Sequence, residues 1–213
     1  MPIPQRTVER FFRYSQFLHA RLEAGAEHVY SYELAAAVGI SPEQVRRDLM
    51  NFSLRGTPQK GYPIREFMTE LYQHLGSSAL TKMVLVGVGN LGKAVLTYFI
   101  RRRPNLAIVA AFDADEEKSD RVYAGCQVHH IKKLEDVIAR EQATVGIITV
   151  PAGAAQATAD ALARAGVKGI VNFAPVQIKT PKGIFLEQLD ITLSIEKTAY
   201  FARRTAPEKE QTT

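Results

Sequence analysis

The feature that most constrains this chain is a glycine loop set between a strand and a helix. Met83-Val84-Leu85-Val86 reads as a short apolar strand, Gly87-Val88-Gly89-Asn90-Leu91-Gly92 follows directly, and helical spacing runs on over Leu91–Arg102. A lone G-x-G-x-x-G says little, but in that context it marks a βαβ unit built to hold a dinucleotide. Gly87 permits the tight turn, Gly89 lets backbone approach a pyrophosphate, and Gly92 lets helix and strand pack closely. The helix N-terminus then offers amide groups and partial positive charge to the phosphates.

The second strand, Ala107–Phe112, runs into Asp113, 21 residues after Gly92. A carboxylate there accepts both ribose hydroxyls of NAD and repels a 2′-phosphate. Asp115, Glu116 and Glu117 add negative charge, so the loop reads as a site for NAD(H) rather than NADP(H). Capping of the next turn is the alternative role for Asp113. Further strands are expected at Val145–Val150 and Lys168–Phe173, with a weaker one at Cys126–His130. Helices are expected at Lys132–Gln142 and Ala152–Ala165, and a last one at Asp190–Arg203. Nearly unbroken apolar strands alternating with helices imply a doubly wound parallel sheet covered on both faces. Ligands sit at the carboxyl ends of such strands. That draws attention to Thr149-Val150-Pro151 and to Asn172-Phe173, although each also reads as simple strand punctuation. Tyr98, nearly two turns after Gly92, belongs either to the core or to the nicotinamide end.

A dehydrogenase needs a proton-transfer group beside the hydride acceptor. No His or Lys is expected at the strand ends facing the crevice, and His129 and His130 read as residues of an outer strand. No catalytic residue is therefore assigned, and the dinucleotide is expected to be sensed rather than consumed.

Before residue 78 the periodicity is helical. Val8, Phe11, Phe12, Ser15, Leu18 and Leu22 share one spacing, and Gly25 ends that helix. Ser31 is placed to cap a second helix carrying Leu34, Ala35 and Val38, which Gly39 stops. Ser41 caps a third, with Pro42 at its first position and Gln44 completing a capping box. Two short helices joined by Gly39-Ile40-Ser41 form a helix-turn-helix. Gly, Pro and Gly in 55–62 suggest a hairpin wing, and Ile64–Leu75 is helical again. On the third helix Val45, Leu49 and Phe52 face the core, while Arg46, Arg47, Met50 and Asn51 project elsewhere. Arginine reads guanine through two hydrogen bonds, and asparagine reads adenine. Arg55 and Lys60 on the wing would meet phosphates or a minor groove. A solvated face with either arginine paired to Asp48 or Glu43 is the bland alternative.

Composition fits this organisation. The chain has 213 residues, 46% hydrophobic and 23% charged, with a net charge of +5. Those values allow one or two globular domains. No apolar run is long enough to cross a membrane, no secretory leader is visible, and no Cys/His cluster suggests a metal site. A cytoplasmic protein is expected. Its single cysteine, Cys126, reads as a small buried hydrophobe.

Taken in order, Gln44-Val45-Arg46-Arg47-Asp48-Leu49, Gly61-Tyr62, Val86 to Gly92, Phe112-Asp113, Thr149-Val150-Pro151-Ala152 and Asn172-Phe173-Ala174-Pro175 resemble the Rex family of bacterial redox-sensing repressors. The resemblance runs over residues 4–200 without large insertions. It implies a winged-helix DNA-binding domain (1–78), a Rossmann NAD(H)-binding domain (79–189), and a C-terminal helix (190–205) exchanged between the subunits of a homodimer, before a polar tail (206–213). It implies binding to a palindromic double-stranded operator at low NADH and release when NADH binds. Ser41, Gln44, Arg46, Arg47, Asn51, Arg55 and Lys60 fall on its DNA side. Gly87, Val88, Gly89, Asn90, Leu91 and Gly92 fall on its pyrophosphate loop, and Asp113 on the adenosine ribose. Tyr98, Thr149, Val150, Pro151, Asn172 and Phe173 fall around the rest of the dinucleotide. The chain departs from the family's pattern at Gln16, Asn51, Ser53 and Pro58. Two rival readings stay open: an oxidoreductase with a helical appendage, and a regulator sensing another nucleotide such as a coenzyme A derivative.

Overall fold

A computed structural model describes residues 3–50, 52, 61–76, 80–99 and 105–205. It divides into two compact units, Met1–Ala79 and Leu80–Thr213.

The first unit is helical. It contains α1 (Gln5–Glu23), α2 (Ser31–Val38), α3 (Pro42–Leu49) and α4 (Ile64–Leu75). Two short antiparallel strands, β1 (His28–Val29) and β2 (Tyr62–Pro63), pair beside them. On α1 the buried line is Phe11, Tyr14, Ser15 and Leu18, at the i, i+3, i+4, i+7 spacing of one face. This corrects the sequence reading at Phe12, which is half-exposed, and at Tyr14, which is fully buried. Ser31 is the first residue of α2, not its cap. Tyr30 precedes it, and the Tyr30 amide donates to the Glu33 carboxylate at 2.8 Å. Ser41 does cap α3, its hydroxyl accepting the Gln44 amide at 3.2 Å. The segment 53–60, where most of the wing was expected, lies outside the described residues, as does Asn51.

The second unit is a seven-stranded sheet. In chain order it holds β3 (Thr81–Val86), α5 (Asn90–Phe99), β4 (Leu106–Asp113), β5 (Val122–Tyr123), β6 (Cys126–His130), α6 (Leu134–Glu141), β7 (Val145–Ile148), α7 (Ala152–Arg164), β8 (Gly169–Asn172), β9 (Phe185–Gln188) and α8 (Ile191–Thr205). The spatial order is β5-β6-β4-β3-β7-β8-β9, parallel throughout except for β5 against β6. Leaving β5 aside, this is the 3-2-1-4-5-6 order of the doubly wound dinucleotide fold. Strands β5 and β9 were not anticipated from the sequence.

Alternation along β3 divides the core. Val84 and Val86 pack with residues of α6 and α7, while Met83 and Leu85 pack with Leu96 of α5 on the other face. The second face is less fully covered than the apolar strands suggested. Phe185 of β9, in register with Gly169, is more than half exposed. Helix α8 is exposed at every residue from Ile191 to Arg204.

Candidate nucleotide site and nucleic-acid interface

The sheet order reverses between β3 and β7, and the crevice at their carboxyl ends is where such a fold takes its ligand. Gly87 leaves β3 with φ +99°, a left-handed value that suits glycine alone. Its amide donates to the Phe112 carbonyl at 2.8 Å. Its carbonyl accepts from the Thr149 hydroxyl at 2.7 Å, so β7 pins the loop from the far side. A Cβ on Gly92 would lie 2.0 Å from the Gly87 carbonyl oxygen, whereas one on Gly89 would meet nothing within 4 Å. Gly92 is therefore required by the fold itself, and Gly89 faces open space. Asn90 and Leu91, both exposed, start α5. The first amides of a helix have no carbonyl partner within it, so this end presents donors to the crevice.

Asp113 ends β4 and is nearly buried. One carboxylate oxygen accepts the Val88 amide at 2.7 Å, inside the glycine loop, and the other accepts the Asp115 amide at 3.0 Å. The Lys118 ammonium stands 3.2 Å from the same Asp113 and 3.6 Å from Asp115. Burial alone would raise this carboxyl, but the Asp115 and Val88 amides and Lys118 outweigh it and hold it below the ordinary range. Asp113 thus clamps the loop and caps the following turn at once, and it stays ionised. The sequence reading missed Lys118. His129 and His130 lie on the outer stretch of β6, since β5 pairs only with Cys126 and Gln127, and His130 pairs in register with Asp113 at the strand's carboxyl end. A histidine therefore does stand at a strand end, on the Asp113 side of the crevice, where its Nδ1 accepts the Lys132 amide at 3.2 Å.

Thr149 and Val150 both approach Gly87, and Pro151 leads into α7, whose N-terminus opens at the same edge of the sheet. Phe173 continues β8, its amide donating to the Ile148 carbonyl at 2.9 Å. Asn172 plays a different part. It is fully buried, its amide nitrogen reaches the Val176 carbonyl at 2.9 Å and Gln188 at 2.7 Å, and its side-chain oxygen accepts the Ala174 amide. Those bonds tie β8, β9 and the intervening loop together. Tyr98 is not brought to the glycine loop within one protomer. It lies eight residues along α5 from Asn90, about 12 Å on, half-exposed with its ring against Phe99. Cys126 is buried, and burial pushes its thiol up to about 11, which leaves it unreactive at neutral pH.

In the helical unit, α3 presents Arg46 and Arg47 outward while Val45, Asp48 and Leu49 are buried. Arg46 pairs with Glu43 at 2.7 Å. Asp48 is instead taken by Arg10 of α1, whose two nitrogens lie 2.6 and 2.7 Å from its oxygens, and by the Tyr14 hydroxyl at 2.9 Å. Gln44 does not close the expected box back to Ser41. Its side chain donates to Asp48 at 2.9 Å and accepts from Arg47 at 3.0 Å. A continuous chain, Arg47–Gln44–Asp48–Arg10, thereby fixes how the exposed face of α3 is held on α1. Burial would raise the Asp48 carboxyl, but hydrogen bonds from Arg10, Gln44 and Tyr14 keep it low. Arg55 and Lys60 lie outside the described residues. No group of three or more metal-ligating side chains occurs among the described residues, and no helix there is long and apolar enough to cross a membrane.

Comparison with known proteins meets both halves of this picture. A family model described as "CoA binding domain" matches residues 78–176, and one described as "Putative DNA-binding protein N-terminus" matches residues 2–49. The redox-sensing transcriptional repressor Rex of Halalkalibacterium halodurans is 37% identical over 201 residues, which is 94% of this chain and 95% of that one. The crystal structure of RSP with β-NAD+ and operator DNA is similar at a TM-score of 0.87 and 29% identity, over 96% of this chain and 94% of that one. RSP with β-NADH is similar at 0.83 and 29%, over 96% of each chain.

Proposed function

The chain belongs to the Rex family of redox-sensing transcriptional repressors, and on that premise we propose how its own residues divide the work. It is a DNA-binding regulator that senses NAD(H) through its Rossmann unit, and it is not an enzyme. The observation that carries the ligand assignment is the buried, ionised Asp113 clamping the amide of the glycine loop. Gly87 to Gly92 receive the pyrophosphate on the N-terminus of α5, and Asp113 takes the adenosine ribose. Thr149, Val150, Pro151 and Phe173 line the way toward the nicotinamide, with Asn172 holding their loop. Tyr98 closes that end.

NADH and NAD+ differ by one positive charge on the nicotinamide. An apolar pocket favours the neutral form, because burying an unpaired charge is costly. NADH binding then selects a state of the dimer whose two α3 helices no longer match half-sites one helical turn, or a multiple of it, apart. Arg46 and Arg47 read bases, while Ser41, Gln44, Asn51, Arg55 and Lys60 meet the surrounding backbone or groove. The homodimer buries α8, where Ile191, Leu193, Ile195, Tyr200 and Phe201 are all exposed within one chain. It acts in the cytoplasm, beside the DNA it regulates.

The test is fluorescence anisotropy of the full-length protein on a labelled palindromic duplex at fixed salt, with no nucleotide, NAD+, NADH or coenzyme A. Release by NADH alone is expected. Release by coenzyme A in place of NADH would move the sensing role to that ligand, and indifference to all three would overturn the sensing reading.

A further inference from the structure

Helix α3 carries one large apolar side chain that the fold does not use. Met50, at its C-terminal cap, is 83% exposed, while Leu49 and Phe52 on either side of it are buried. Its backbone is still helical, with φ −62° and ψ −18°, so its direction follows from helix geometry. At about 100° per residue, Arg46, Met50 and Arg47 lie about 100°, 140° and 200° around the axis from buried Val45. Met50 therefore stands on the outward ridge of the helix, between the two arginines and one turn beyond them. Glu43 shares that ridge at the other end of the helix.

An apolar side chain so placed gains nothing from water, and two flanking cations suit it to an anionic partner. The major groove of DNA is lined by polar base edges and offers one apolar group, the 5-methyl of thymine. Methionine is long, unbranched and polarizable, which suits contact with a methyl group whose position varies slightly. We propose that Met50 is a specificity-determining residue that contacts a thymine methyl in each half-site, next to the bases read by Arg46 and Arg47. The proposal rests on α3 being the DNA-reading helix and adds to it a base preference that the arginines cannot supply. A cytosine in the same place would present an amino donor at the neighbouring ring position and no methyl.

The test begins by selecting a duplex from random-sequence DNA with the full-length protein. The selected duplex is remade with each thymine replaced in turn by uracil, which lacks only the methyl group. Wild type and Met50→Ala are compared on every duplex. Burying one methyl-sized group corresponds to about a fourfold change in affinity. The expected result is one thymine per half-site whose replacement weakens wild-type binding by about that factor, and to which Met50→Ala is indifferent. Every other thymine responds alike in both proteins. Met50 is too exposed for its truncation to disturb folding, and an unchanged thermal melt checks this. A selected site with no such thymine, or a methyl effect that persists in Met50→Ala, overturns the proposal and leaves the DNA-binding reading standing. Failure to enrich any duplex would overturn both.

Discussion

Gly92 and Gly89 belong to one motif, yet the structure gives them separable roles. An alanine at Gly92 places its Cβ 2.0 Å from the Gly87 carbonyl oxygen and 3.1 Å from the Thr149 hydroxyl. An ordinary carbon–oxygen approach is about 3.3 Å or more, so the loop or α5 must move by about 1.3 Å. The Gly87 carbonyl cannot give way alone, because it is held by the Thr149 hydroxyl at 2.7 Å and its own amide by Phe112 at 2.8 Å. Overpacking of this kind costs about 1–3 kcal/mol, and each hydrogen bond lost costs about 1 kcal/mol more. Gly92→Ala is therefore expected to destabilise the Rossmann unit by about 2–4 kcal/mol. It should also weaken NADH by at least about 100-fold, since the amides facing the pyrophosphate shift with the loop. Gly89→Ala meets nothing within 4 Å in the protein, so it should melt like wild type and lose NADH only because the ligand's phosphates need that space. Nicotinamide fluorescence and thermal melts on both variants decide the matter, with anisotropy on operator DNA as a third readout. Both variants should keep DNA binding and become deaf to NADH. NADH affinity within about threefold of wild type in either variant would refute the assigned pose.

The remaining predictions concern charge and assembly. Asp48→Asn breaks a largely buried pair with Arg10, and should cost the helical unit about 3 kcal/mol, read as a lower melting temperature. Because Asp48 is held below its ordinary pKa, its contribution is present above the unfolded carboxylate pKa and lost as pH falls through the folded value. Acid unfolding should accordingly be shallower in Asp48→Asn than in wild type. Lys118→Met removes the cation that shields Asp113 and Asp115, so a 2′-phosphate should meet stronger repulsion. Competition titrations should show NADPH weakened more than NADH, and an unchanged ratio would end that argument. Leu193→Asp with Ile195→Asp puts charge on two exposed apolar positions of α8. Sedimentation should then show monomers, and operator affinity should fall with dimerisation.

Much of the architecture was legible because its signals are local. A strand, a glycine loop and a helix in sequence leave few alternatives, and β3, α5 and β4 lie where the spacing put them. The capped start of α3 is equally local, since Ser41, Pro42 and the Gln44 amide sit within one turn. Strand β5 was missed because two residues carry no periodicity, and β9 because Phe185-Leu186-Glu187-Gln188 is short and half polar. Missing β5 did not mislead the reading of His129 and His130, because β5 pairs only with Cys126 and Gln127 and leaves both histidines on the outer stretch of β6. Phe12 was misjudged because helical spacing alone admits two phases. Tyr14, amphipathic enough to bury its ring and bond Asp48, settles which phase is buried.

For the candidate site, the place of each residue in the fold was legible and its wiring was not. Spacing located Asp113, but both of its oxygens already hold amides of the protein before any ribose arrives. The turn-capping role and the ribose role, weighed as alternatives, are therefore compatible: a carboxylate has about four lone-pair positions, and two or three are used here. What the fold adds is preorganisation, since the Asp115 and Val88 amides fix the carboxylate's orientation and, with Lys118, keep it charged. The same holds on α3. Asp48 looked like a candidate partner for the neighbouring arginines, and such pairing would have weakened the DNA-reading argument. Its actual partner is Arg10, 38 residues away, a contact that no local pattern encodes. Arg10 takes Asp48 into the interior, while the Arg47 guanidinium donates to the Gln44 side chain at 3.0 Å. Arg46 keeps its exposed Glu43 pair, which is worth little in water. The helix is thus braced through its buried charge, with Arg46 and Arg47 on its outward face.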